Sequence, residues 1–369
     1  MPSRRSLLQG LVCLPFAARG WSQTPLRPGR GYACALGEDA DASLLPHARR
    51  DGESLAIALA ATPRPSPEIL RKLTGTEAPS WVELSPQDRG GVDDGPLAER
   101  IRTAASVTLI EGEVIDWLVT LWPARRSSAV LEALAECALT GGRLIGRGST
   151  AILVAAGGVV RGPTREARGE SRLRLVNPRE SGEPRLTQGL HLCGNFYIDT
   201  RARSSGSLLR LLSTLIENHE DRGVMLGDRS VLCCDLEERV WTALGAGPLL
   251  VLELLGSRRL SESIQDAELS VLSNGDGRRA LDRRMFSTGA PIEFGAAAAE
   301  AADADGLLAA NLVAPPLVSR SWRNDRMRVA LLRATQSSAC SGPEDGAPRS
   351  QRMVLNVALE RGRWGELGS

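Results

Sequence analysis

The sequence predicts an α/β fold: three layers (α/β/α), with helices on both faces of a mainly parallel sheet, and a small α+β extension at the C-terminus. Three observations predict it. Short apolar runs alternate with helix-period segments from residue 31 onward, the order that a parallel sheet with crossover helices requires. Gly and Pro punctuate the ends of those runs. The chain has 369 residues, 42% of them apolar, enough to bury one large core plus an appendage.

The elements follow in order. Residues 31–36 read as a strand ending at Gly37, and 55–61 as another, closed by Thr62-Pro63. Helix signals cover 67–73, 97–104, 115–122 and 128–139, the last stopped by Gly141-Gly142. Strands are expected at 81–84, 106–110 and 143–146, and an apolar helical start at 150–156. Residues 161–183 are polar, charged and Gly/Pro-bearing, which reads as a long loop or hairpin insertion. A strand at 196–198 and a helix at 207–217 follow, with Leu208, Leu211, Leu212 and Leu215 on one helix face. From Val224 the texture changes to short strands: 230–234, 240–244, 249–254 and 269–272. Residues 296–312 are Ala-rich and helical, and Pro315-Pro316 breaks them. Residues 326–332 and 352–360 alternate and are expected to pair across the loop at 338–350.

The first residues carry an address. Ser3-Arg4-Arg5-Ser6-Leu7-Leu8 is a twin-arginine pattern, followed by an apolar run from Leu7 to Ala18. That run is too short to span a bilayer and reads as the h-region of a signal peptide occupying 1–22. The expected destination is the periplasm or the medium, by twin-arginine export. No later segment reaches ~18 uninterrupted apolar residues, so no membrane span is expected in the mature chain. A formal charge of +1 gives no basic footprint for nucleic acid. Six cysteines follow the signal: Cys34, Cys137, Cys193, Cys233, Cys234 and Cys340. They permit disulfides whose pairing the sequence leaves open. Cys233-Cys234 lies in an apolar run and reads as buried. With no CxxC or Cys/His ligand spacing, neither a metal nor another cofactor is expected.

In open α/β sheets, sites form at the carboxyl ends of strands. Three strand ends stand out. One is Ile110-Glu111-Gly112-Glu113. The second is Gly146-Arg147-Gly148-Ser149-Thr150-Ala151, a strand, a Gly turn and a helix start. The third is Tyr197-Ile198-Asp199-Thr200-Arg201. The second resembles a nucleophile elbow, whose sharp turn needs small flanking residues such as Gly148 and Ala151.

A series of motifs surrounds these ends. Ala35-Leu36-Gly37-Glu38-Asp39 opens it. Gly189-Leu190-His191-Leu192-Cys193-Gly194-Asn195-Phe196-Tyr197-Ile198-Asp199 leads into the helix at Leu208-Leu209-Arg210-Leu211-Leu212. Gly223-Val224-Met225-Leu226-Gly227-Asp228, Gly245-Ala246-Gly247 with residues 249–254, and Leu272-Ser273-Asn274-Gly275-Asp276 complete it. In this order and spacing, from about residue 31 to 281, the chain resembles the cyanophycinase and peptidase E family. The resemblance implies a class I glutamine amidotransferase-like fold over 31–283, with 284–369 as the extension. It also implies a Ser–His–acid arrangement that hydrolyses peptides, notably the β-Asp-Arg polymer cyanophycin.

The family's functional residues carry over poorly. Its nucleophile position falls on Thr150, with Ser149 before it, and its following Gly falls on Ile152. Its catalytic His position falls on Arg201, and its acid on Asp228. Its Gly-Gly-Asp/Asn-Gln loop appears as Glu111-Gly112-Glu113-Val114. Its Arg/Arg helix start becomes Ser205 and Ser207, with Arg210 retained. Arg201 weighs most: a hydroxyl nucleophile needs a base, and a guanidinium stays protonated and has no acceptor atom. The three histidines, His47, His191 and His219, read as structural.

Three readings of function follow. The first is an exported, catalytically degenerate family member that binds a peptide or small charged ligand through Glu111, Gly112, Glu113, Asp199, Arg201, Arg210 and Asp228. The second is a serine- or threonine-type peptidase with a rewired triad using Ser149 or Thr150, acting on cyanophycin or Asp-containing peptides. The third is an interaction role for the C-terminal part, which also leaves room for a homodimer.

Overall fold

The computed structural model describes residues 29–60, 62–85, 89–110, 112, 114–122, 127–155, 158–159, 190, 192–194, 196–200, 211–212, 215, 220–247, 249–254, 257–259, 263–272, 274–279, 285–287, 320–323, 327–333 and 351–359. Its strands are β1 (Tyr32–Leu36), β2 (Ser54–Leu59), β3 (Ser80–Leu84), β4 (Ser106–Leu109), β5 (Arg143–Arg147), β6 (Gly158–Val159), β7 (Tyr197–Asp199), β8 (Arg222–Leu226) and β9 (Ser230–Asp235). There follow β10 (Val240–Gly245), β11 (Leu249–Glu253), β12 (Arg258–Arg259), β13 (Ser263–Leu272), β14 (Asp276–Arg279), β15 (Met285–Ser287), β16 (Arg320–Arg323), β17 (Met327–Arg333) and β18 (Gln351–Leu359). The helices are α1 (Pro67–Thr74), α2 (Arg89–Val92), α3 (Gly95–Thr103), α4 (Val114–Leu121), α5 (Ala129–Leu139) and α6 (Ala151–Ala155).

The strands form two sheets, where one mainly parallel sheet was expected. The first runs β15-β14-β10-β9-β1-β5-β4-β2-β3. Its half from β1 to β3 is parallel, and the half from β1 to β15 antiparallel. The second runs β16-β17-β18-β13-β11-β8-β7-β6, with β12 beside β13, and only β6, β7 and β8 pair in parallel. Connection length explains the difference. Strands β2, β3, β4 and β5 are joined in sequence through α1 to α5. From β8 to β11 the links are three or four residues, too short for the dozen or more that a parallel crossover needs. The links β8–β9 and β10–β11 each cross from one sheet to the other and lie side by side, Gly247 N–H donating to the Arg229 carbonyl at 3.3 Å.

The parallel half is built from local signals. β1, β2, β4 and β5 are buried almost throughout, as strands covered on both faces are. α1 starts at Ser66, whose Oγ accepts from Ile69 N–H, has Pro67 in its first turn, and ends at Gly75 with φ +68°. α5 starts where Ser128 Oγ accepts from Leu131 N–H. One core joins Ile101 of α3, Trp117 of α4 and Leu134 of α5 to Ile57, Val107 and Leu144 of the first sheet and Val224 and Val251 of the second. A smaller cluster covers the other face, with Cys34, Leu36, Ile145, Val231 and Cys233.

The expected pairing of the last two apolar runs is present: β17 pairs antiparallel with β18, Met327 opposite Leu359. Strands beyond the expected boundary at 283 pair with strands before it, β18 with β13 and β15 with β14. The Ala-rich segment 296–312 and the expected signal peptide at 1–22 lie outside the described residues. No helix among the described residues is long and apolar enough to cross a membrane.

Candidate functional site

The carboxyl ends of β1, β4 and β5 lie together, because Leu36 and Arg147 are register partners and so are Leu109 and Gly146. Asp228 joins them from the β8–β9 link, its carbonyl accepting from Asp39 N–H at 2.8 Å while Gly37 N–H donates to Ser230 O at 2.9 Å. Asp199 ends β7 opposite Met225 of β8, so it lies at the same end of the second sheet. It is buried, and Asp228 is half-buried. The fold therefore gathers Gly112, Ser149, Thr150, Asp199 and Asp228 at one edge. Glu111, Glu113, Arg201 and Arg210 lie outside the described residues.

The turn after β5 is tight. Gly148–Thr150 form one 3-10 turn that feeds directly into α6. Gly146 has to be a glycine here: a Cβ on it would sit 2.4 Å from the Thr150 carbonyl oxygen. The left-handed backbone of the turn falls on Gly148, at φ +53°. A nucleophile elbow puts its reactive side chain at the strained tip of such a turn. In this chain the tip has no side chain.

Both neighbouring hydroxyls bond backbone. Thr150 is fully buried; its Oγ1 accepts from Arg147 N–H at 2.8 Å and lies 2.9 Å from the carbonyls of Leu109 and Arg147. Its lone proton and one of its two acceptor sites are engaged by backbone. The sequence expectation that the nucleophile position falls on Thr150 therefore meets a buried hydroxyl bonded to backbone. Ser149 is half-buried and donates to the Gly112 carbonyl, tying the turn to the loop after β4. Beneath that loop lies Trp117, fully buried, with no acceptor for its Nε1–H among the described residues.

β5 carries two buried arginines, of which Arg147 lies at the candidate site. Arg147 reaches from the turn to the carbonyls of Ala40, at 2.8 Å, and of Glu38, holding the loop after β1 in place. Arg143, at the other end of the strand, bonds Ser106 Oγ, the Pro46 carbonyl and the Thr74 carbonyl. Burial pulls its guanidinium below the ordinary value. A charged residue at each end of an otherwise apolar strand was the available signal.

His47 is exposed beside Pro46, which Arg143 holds at the amino end of β5. Four residues of strand, about 13 Å, separate that end from the Gly148 turn. His191 and His219 lie outside the described residues. No group of three or more His, Cys, Asp or Glu side chains is placed to hold a metal among the described residues. A cleft of about 470 Å³ lies at the sheet edge, lined by Leu84, Asp94, Pro96 and Arg100 among others. It sits by β3, three strand spacings or about 14 Å from β5.

The segment bearing Asp199 is fastened to the first sheet. Cys193 and Cys234 form a disulfide, and Trp241 Nε1 donates to the Cys193 carbonyl at 2.9 Å. Phe196 packs edge-on against Trp241 with ring centroids 4.7 Å apart.

No protein-family model matches the chain, and no curated protein matches it. Among solved structures, the chain is similar to the crystal structure of a peptidase from an acI-B1 Actinobacterium, at TM-score 0.39 and 12% identity, over 72% of this chain and 97% of that one. A likeness of that degree carries no inference about activity, and the chemistry of the turn rests on its own atoms.

Proposed function

We propose that the chain is a hydrolytically degenerate protein of the cyanophycinase and peptidase E type, with a class I glutamine amidotransferase-like parallel half. In this reading it binds a peptide or small charged ligand at the edge formed by Gly112, Ser149, Asp199 and Asp228 instead of cleaving it. The observation that supports this most is Gly148: the left-handed tip of the strand–turn–helix carries no nucleophile. Both adjacent hydroxyls serve the backbone. Arg201 at the family's His position adds a second obstacle, since a guanidinium accepts no proton. Losing a triad member costs roughly four orders of magnitude in turnover.

The test is turnover of cyanophycin and of Asp-containing dipeptides by the purified chain. The expected result is no cleavage above buffer, with saturable binding of short charged peptides by calorimetry. Cleavage at ordinary peptidase rates overturns the reading. The half-buried Ser149 keeps a second reading in play, a hydrolase using that hydroxyl with a relocated base. Export belongs to the same proposal: replacing Arg4 and Arg5 by Lys should retain the chain in the cytoplasm of a fractionated bacterial host.

A further inference from the structure

β1 and β9 carry cysteines in facing positions. Cys34 and Cys233 are register partners, and their sulfurs lie 3.6 Å apart. Their place in the ladder matters. Gly37 N–H donates to Ser230 O and Leu236 N–H to Gly31 O, so the odd-numbered residues of β1 are the hydrogen-bonded positions. Cys34 and Cys233 therefore form a non-hydrogen-bonded pair, where facing Cα atoms lie about 4.5 Å apart, within the range that a disulfide spans. Both side chains are buried on the face shared with Leu36 and Ile145. Cys234, next in sequence, points to the opposite face and is already joined to Cys193.

We propose that Cys34 and Cys233 are a convertible dithiol that closes to a second disulfide across the β1–β9 seam when the chain meets a small disulfide oxidant such as oxidised glutathione. One thiolate attacks the oxidant, forming a mixed disulfide and releasing one reduced thiol. The second thiolate displaces the other thiol and forms the Cys34–Cys233 bond. Two electrons pass to the oxidant, whose sulfur–sulfur bond breaks, and the two protons end on its thiols.

The surroundings fit that role. Arg143 lies near both sulfurs, no carboxylate pairs with it among the described residues, and its charge opposes part of the rise at the Cys233 thiol. In the closed fold, contact with Cys34 and burial hold the Cys233 thiol well above its ordinary value, so exchange waits on opening of the seam. Beyond the pair the seam carries the Gly37–Asp39 loop and the Asp228 link, which bond each other directly. Closing the disulfide pins both at the candidate site, whether or not that site hydrolyses anything.

Trypsin places Cys34 in peptide 31–49, Cys193 in 186–201, and Cys233 and Cys234 together in 230–239. The full chain is equilibrated with oxidised glutathione through unfolding and refolding, and a second sample is oxidised while folded with diamide. Both are capped with N-ethylmaleimide and digested without reduction. The expected product is one assembly of all three peptides, which becomes the pair 186–201 with 230–239 in Cys34→Ser. A thermal midpoint higher for the oxidised than for the reduced wild-type chain, with a smaller difference in Cys34→Ser, is expected as well. Recovery of 31–49 with maleimide on Cys34 in both arms, or its linkage to another cysteine, overturns the proposal.

Discussion

The hydroxyl of Thr150 lies 2.9 Å from the carbonyl oxygen of Leu109, fastening the turn after β5 to the end of β4. The same oxygen accepts from Arg147 N–H, so two buried backbone groups depend on one side chain. Thr150→Val keeps the shape and removes both bonds. Chemical denaturation should show a loss of about 1–3 kcal/mol, the cost of leaving a buried donor unmet, and Thr150→Ser should recover most of it. An undisturbed midpoint in the Val variant would contradict the role assigned to the hydroxyl.

Gly148→Ala places a Cβ on a residue with φ +53°. A non-glycine residue pays roughly 1–2 kcal/mol for that backbone. The variant should lose about that much stability. A neutral or stabilising result would mean that the turn does not hold the left-handed conformation.

Arg143 joins the start of β5 to Pro46 and Thr74, on segments far apart in the chain. Arg143→Ala should cost about 2–4 kcal/mol, by leaving buried carbonyls unmet and packing lost. Arg143→Lys should recover little, because an ammonium cannot reproduce the planar fork that reaches several acceptors at once. Urea titration of the two variants checks the ordering.

Burial pushes the Cys137 thiol up to about 11, against an opposing pull from Arg50. The unfolded chain releases that proton near the ordinary 9.0, so the native state binds more protons between those values. The stabilisation is present below pH 9 and is lost as pH rises toward 11, by roughly 2–3 kcal/mol in all. Denaturation at pH 8 and pH 10.5 should show the decline, and Cys137→Ala should flatten the part that the thiol contributes.

Much of the parallel half was legible because its signals are local. Ser66-Pro67 and Gly75 bound α1, and the apolar runs of β1, β2 and β4 stand between breakers. The two-sheet arrangement was not, since it depends on which partners the hairpin strands β8 to β11 find across space. The sequence marks only the last residues of β13 as strand because Gln265, Asp266 and Glu268 interrupt the apolar pattern. At the site, Gly146-Arg147-Gly148-Ser149-Thr150 announced a turn, but spacing alone does not say which residue takes the left-handed backbone. Motif alignment put the nucleophile position on Thr150; backbone geometry puts the tip on Gly148.

Whether any hydroxyl at that turn is nucleophilic can be read directly. The folded chain is incubated with a fluorophosphonate probe and its intact mass recorded, with peptide mapping across residues 144–172. An unmodified mass is expected, since Ser149 and Thr150 are bound to backbone carbonyls and position 148 is a glycine. A stoichiometric adduct on Ser149 or Thr150, abolished by the corresponding Ala variant, would contradict it.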